Sequence, residues 1–80
     1  MLMTLDLVTV GKTGIIREIK TDPVTKERVE SLGLITGVEI TIIRRSPLGS
    51  TRIYKCLNTL VAIRNDIADK ILVEIPDGQQ

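Results

Sequence analysis

The chain contains no histidine, phenylalanine or tryptophan, and only one tyrosine and one cysteine among its 80 residues. Without histidine, neither a Ser-His-Asp nor a Cys-His catalytic arrangement can be built. A single cysteine, Cys56, forms no internal disulfide and cannot complete a closed zinc site. Such a lone thiol suits a reducing compartment. Single-stranded nucleic acids are bound by stacking bases on aromatic side chains and drawing phosphates to a basic field. One tyrosine, Tyr54, and a net charge of +1 from 11 basic and 10 acidic residues supply neither, so no nucleic acid partner is expected. No apolar run approaches the roughly 18 residues that would span a bilayer. Asp6 and Gly11 break the N-terminal apolar stretch, which is unlike a signal peptide. A cytoplasmic protein without direct membrane insertion is the expectation. The Gly-x-x-x-x-Gly-Lys-[Ser/Thr] phosphate loop is absent too, and the one carboxylate pair, Asp66 and Asp69, reads as a solvated helix face. The expectation is a protein that is not an enzyme.

What is present is aliphatic. Ile, Leu and Val dominate the apolar set, a composition suited to strands. Residues 1–80 read as one domain with a core over about 4–75, small enough to need dense packing or partners. Thr4 to Val8 predicts a helical turn, and "IIREIK" (15–20) a strand whose three isoleucines are reconciled by a bulge. "TDPVTKERVESLG" (21–33) predicts the one full helix. Asp22 is its N-cap, Pro23 its first residue and Gly33 its left-handed terminator, with Val24, Val29 and Leu32 on one face. Leu32 and Leu34 are expected to lock this corner into the core. Gly37 opens the strand "VEITIIRR", "SPLGS" turns the chain, and "TRIYKCL" and "LVAIR" form a hairpin about Asn58-Thr59. A short helix capped by Asn65 and the strand "ILVEI" follow, and both chain ends (Met1–Met3 and Pro76–Gln80) are expected to fray. The fold class is mainly β: a small SH3-like barrel of about five strands with one helix and one or two helical turns.

These pieces, in this order, resemble the FeoA family of small bacterial ferrous iron transport accessory proteins. Leu5 and Val8 precede Gly11 as in the family's opening motif. Arg28, Leu32, Gly33, Leu34 and Gly37 match its Arg-x-x-x-Leu-Gly-Leu-x-x-Gly signature. Pro47 and Gly49 match its "PLG" turn, and Ala62 and Arg64 its Ala-Leu-Arg strand. The resemblance implies an SH3-like fold shared with the C-terminal domain of iron-dependent repressors. It also implies a cytosolic role beside FeoB, a membrane iron transporter with a GTP-binding domain. Family members are often described as binding transition metals, so weak divalent binding by Asp66, Asp69, Glu27 or Glu30 is carried as an expectation, with no cofactor required. Val10 and Thr36 stand where the family often has proline.

If Tyr54 and Cys56 point inward, Ile53 and Leu57 point outward, and Leu60 joins them just past the turn. This makes an exposed apolar patch for a partner or a homo-oligomer. Arg44, Arg45 and Arg52 are expected to cluster on the rim of the "SPLG" turn as further partner contacts. A regulatory module that binds a transcription-factor peptide or a metal ion is the alternative reading.

Overall fold

Glycines set the corners of this chain and aliphatic residues fill the space between them. The computed structural model describes residues 1–76; the expected fraying of the C-terminus falls, apart from Pro76, outside them. In order, the elements are β1 (Leu2–Thr4), a 3₁₀ turn (Leu5–Leu7), β2 (Thr13–Ile19), α1 (Pro23–Ser31), β3 (Glu39–Arg45), β4 (Thr51–Cys56), β5 (Thr59–Arg64), α2 (Asn65–Ala68) and β6 (Ile71–Glu74). All six strands form one antiparallel sheet in the order β1-β6-β2-β3-β4-β5. It curls around one core as an SH3-like barrel, with β1 and β5 as its end strands.

Six strands replace the expected five. The extra one is β1, in a segment expected to fray: Leu2 pairs with Glu74, Met3 with Val73 and Thr4 with Leu72. Pairing satisfies the outer edge of β6, which would otherwise be left open. The expected bulge in β2 lies between Ile16 and Glu18 and turns both Ile16 and Ile19 inward. A second bulge, between Ile42 and Arg44, takes Ile43 out of the alternation of β3. Leu5, Ile16, Leu34, Ile40, Ile42 and Ile71 are fully buried around Tyr54.

Helix α1 begins as its sequence dictates. The Asp22 side chain accepts a bond from the Thr25 backbone N–H at 2.9 Å. That bond favours the carboxylate and draws the exposed Asp22 carboxyl below its ordinary pKa. The far end is a Schellman motif: Gly33 N–H reaches the Glu30 carbonyl at 3.0 Å and Leu34 N–H the Val29 carbonyl at 3.3 Å. Gly33 has φ of +100°, a backbone few side chains tolerate. A Cβ there would meet only Leu57 Cδ1, at 3.4 Å, so the obstacle to substitution is the backbone rather than space. Gly33→Val is expected to lose about 1–2 kcal/mol, which a thermal melt will show as a lower Tm. An unchanged Tm would contradict the left-handed corner.

Three local expectations are corrected. The β4–β5 hairpin turns on Leu57 and Asn58, at φ +53° and +63°, not on Asn58-Thr59. Positive φ at both central residues is the type I′ geometry that matches strand twist. Arg64, not Asn65, is the N-cap of α2; the Asn65 amide instead donates to the Gly49 carbonyl at 2.8 Å. Leu32 does not enter the core. It is 48% exposed, as Val24 is 63% exposed, so α1 buries only Val29.

Candidate functional site

Alternation along β4 points Arg52, Tyr54 and Cys56 inward and Thr51, Ile53 and Lys55 outward. The inward set is a structural anchor. Arg52 is not on the rim of the "SPLG" turn as expected: it is 4% exposed. Its guanidinium donates to the carbonyls of Leu5 at 3.2 Å, Asp6 at 2.8 Å and Val8 at 2.7 Å. The Leu5 carbonyl also accepts from the Val8 N–H at 3.3 Å, and Arg52 on β4 supplies donors to the Asp6 and Val8 carbonyls, which no bond within the turn reaches among the described residues. Among the described residues no ion pair holds Arg52. The Asp6 carboxylate lines the same polar cavity of about 230 Å³, with Arg45, Gly49 and Asn65. The Tyr54 hydroxyl is buried without a hydrogen-bond partner among the described residues, and burial pushes its pKa up. Cys56 donates its thiol to the Gly33 carbonyl at 3.3 Å. Burial raises the pKa of the thiol, which disfavours the reactive thiolate.

The outward set is the candidate interaction surface. Ile53 lies opposite Ala62, and Lys55 opposite Leu60, so Ile53 and Leu60 are diagonal neighbours on one face. Leu60 is 63% exposed and Ile53 half-buried. Leu57, equally exposed, sits at the hairpin tip beside Gly33 and lines a shallow groove with Val38, Glu39, Thr41 and Lys55. The three apolar residues singled out in the sequence thus occupy one hairpin, with Ile53, Ala62 and Leu60 contiguous and Leu57 at the tip. Arg44 is exposed and lies opposite Ile53 on the neighbouring strand, so it rims this face. Arg45 lies at the polar cavity instead.

The remaining motif residues divide between frame and surface. Gly11, Gly33, Gly37 and Gly49 all take positive φ. The exposed Pro47 lies in the turn closed by Gly49 N–H on the Ser46 carbonyl at 3.0 Å. Leu34 is core. Arg28, Leu32, Ala62 and Arg64 are exposed and border one groove between α1 and β5, a feature that no single segment of the sequence shows.

The carboxylates considered for metal do not converge. Asp66 pairs with Arg64 at 3.1 Å and Asp69 with Lys70 at 3.1 Å. Among the described residues no group of three His, Cys, Asp or Glu side chains is placed to hold a metal ion. No helix among them is long and apolar enough to cross a membrane.

Comparison with known proteins agrees with this architecture. The FeoA protein of Chlorobium tepidum superposes with a TM-score of 0.88 at 27% identity, over 98% of this chain and 74% of that one. The iron(II) transport protein A of Clostridium thermocellum gives 0.88 at 29% identity, over 95% of this chain and 47% of that one. A manganese-dependent transcriptional repressor gives 0.85 at 18% identity, over 94% of this chain and 42% of the repressor, a likeness of fold alone. No curated protein matches the chain. The model of the FeoA domain matches residues 3–75, and on that match the chain belongs to the FeoA domain family, which is associated with ferrous iron uptake.

Proposed function

We propose that this chain is a non-catalytic cytosolic accessory protein of ferrous iron uptake. It docks on the cytosolic side of a FeoB-type membrane transporter through the outer face of the β4–β5 hairpin. The observation that carries the reading is the contiguous apolar surface of Ile53, Ala62 and Leu60, with Leu57 at the tip and Arg44 at the rim. Leucines left in water add nothing to the stability of the domain, and a contiguous exposed apolar patch supports a contact surface. Fully burying one such side chain contributes about 1.5–3 kcal/mol, so three of them can carry a useful share of a reversible complex. In this reading ferrous iron is the transporter's cargo and the accessory chain needs no resident cofactor. Any divalent binding by its scattered carboxylates is weak.

Changing Ile53, Leu57 and Leu60 together to serine removes most of this apolar area while leaving the buried face intact. The triple variant is expected to bind the transporter's cytosolic domain at least about 100-fold more weakly, a loss of about 2.7 kcal/mol or more. Sedimentation of the same variant reports whether the face also joins two copies of the chain. Unchanged transporter binding would refute the assignment of this face.

A further inference from the structure

The second surface is the free edge of β5. A two-residue turn makes Cys56 and Thr59 a hydrogen-bonded pair, and the pairing alternates from there. Val61 and Ile63 therefore bond to β4, while Leu60, Ala62 and Arg64 direct their backbone N–H and C=O groups off the sheet. Among the described residues, no backbone bond to another element uses Leu60 or Ala62. Edge strands are normally blunted by brevity, a bulge, a proline or a lysine. β1, at the other end of the sheet, has only three residues. β5 has six, in unbroken register with β4, and Thr59 to Ile63 include neither proline nor charge.

Beside this edge lies the groove between α1 and β5, about 290 Å³ in volume, near the lower bound of about 300 Å³ for ligand sites. Val29, Leu32, Ile63 and Ile67 make its apolar lining, and Leu32 owes its exposure to facing it. Two guanidiniums, Arg28 and Arg64, also line it, and no carboxylate does. The Arg28 side chain has no hydrogen bond or ion pair among the described residues. Arg64 has only its pair with Asp66, in which both side chains are more than 60% exposed. Such a surface pair contributes little and exchanges readily for another carboxylate.

We propose that the β5 edge and this groove take an extended acidic polypeptide segment as an added strand. Its backbone bonds to Leu60 and Ala62, an apolar side chain enters the groove, and its carboxylates pair with Arg28 and Arg64. Main-chain bonds supply affinity in this mode of recognition, and side-chain pockets supply selectivity. The site shares Leu60 and Ala62 with the outer face above but uses their backbone edge instead of their side chains, and its test needs no transporter.

The test titrates the full chain, labelled with ¹⁵N, with the peptide Ac-EVEVEVE-NH₂ and with Ac-KVKVKVK-NH₂ as its charge-reversed control. The acidic peptide should shift the Leu60 and Ala62 amide resonances and slow their hydrogen exchange, and the lysine peptide should not. R28Q/R64Q, at two exposed positions that leave the core untouched, should weaken the acidic peptide at least tenfold. An acidic peptide N-methylated at every residue, which cannot donate to the edge, should not bind. No shift at Leu60 and Ala62 at millimolar peptide, equal binding of the lysine peptide, an unchanged affinity for R28Q/R64Q or binding of the N-methylated peptide would each overturn the proposal.

Discussion

Replacing Arg52 with alanine is expected to destabilise the domain by about 3–4 kcal/mol. The reason is position. The guanidinium is buried and donates to the carbonyls of Leu5 and Asp6 in the 3₁₀ turn and of Val8 just after it. Charge-assisted bonds of this kind are stronger than neutral ones. Their loss strands the Asp6 and Val8 carbonyls and leaves a cavity beside the fully buried Leu5 and Tyr54. Small domains have only about 5–15 kcal/mol in total, so a fall in Tm of more than about 10 °C follows. Arg52→Lys keeps the charge but not the planar fork, and one ammonium cannot serve acceptors spread over Leu5, Asp6 and Val8. It is expected to recover less than half of the loss. A melt of Arg52→Ala within about 2 °C of the parent chain would show that the anchor is not needed.

The second large effect is a contrast inside one corner. Leu34→Ala is expected to lose about 2–5 kcal/mol, because Leu34 is fully buried and its removal opens a cavity. Leu32→Ala, two residues earlier, is expected to change stability by less than about 1 kcal/mol, because Leu32 is half in water. Denaturant titrations of the two variants side by side read this directly. Equal losses would mean that Leu32 packs as firmly as Leu34, and the Schellman geometry at Gly33 would then need revision.

Much of this was legible in the sequence wherever local chemistry decides structure. Asp22-Pro23 at one end of α1 and Gly33-Leu34 at the other specify a cap, a first turn and a left-handed stop. The structure has all three. The three isoleucines of "IIREIK" call for a bulge, and it is present. What was missed depends on partners distant in sequence. β1 exists because β6 offers an edge to it, which nothing in "LMT" announces. Leu32 is periodic with Val29, yet only Val29 of α1 and Leu34 just beyond it are buried, while Leu32 stays 48% exposed.

Arg52 is the instructive case, because its signal was present. The parity that turns Tyr54 and Cys56 inward also turns Arg52 inward. The expectation that arginine belongs in water prevailed over alternation, and the backbone carbonyls 44 to 47 residues earlier to which it donates reverse that preference. The candidate surface fared better: the outward placement of Ile53 and Leu60 follows from the same parity and holds. The groove between α1 and β5 could not be read at all, since its two walls, Thr25 to Leu32 and Ala62 to Ile67, are distant in the chain.

The central claim is that this FeoA-domain chain works by docking on a FeoB-type transporter. It is tested most directly by titrating the chain into the transporter's cytosolic GTP-binding domain, nucleotide-free and nucleotide-bound, and following the heat of binding. The account predicts saturable binding in at least one nucleotide state, lost on changing Ile53, Leu57 and Leu60 to serine. No binding in either state would contradict it.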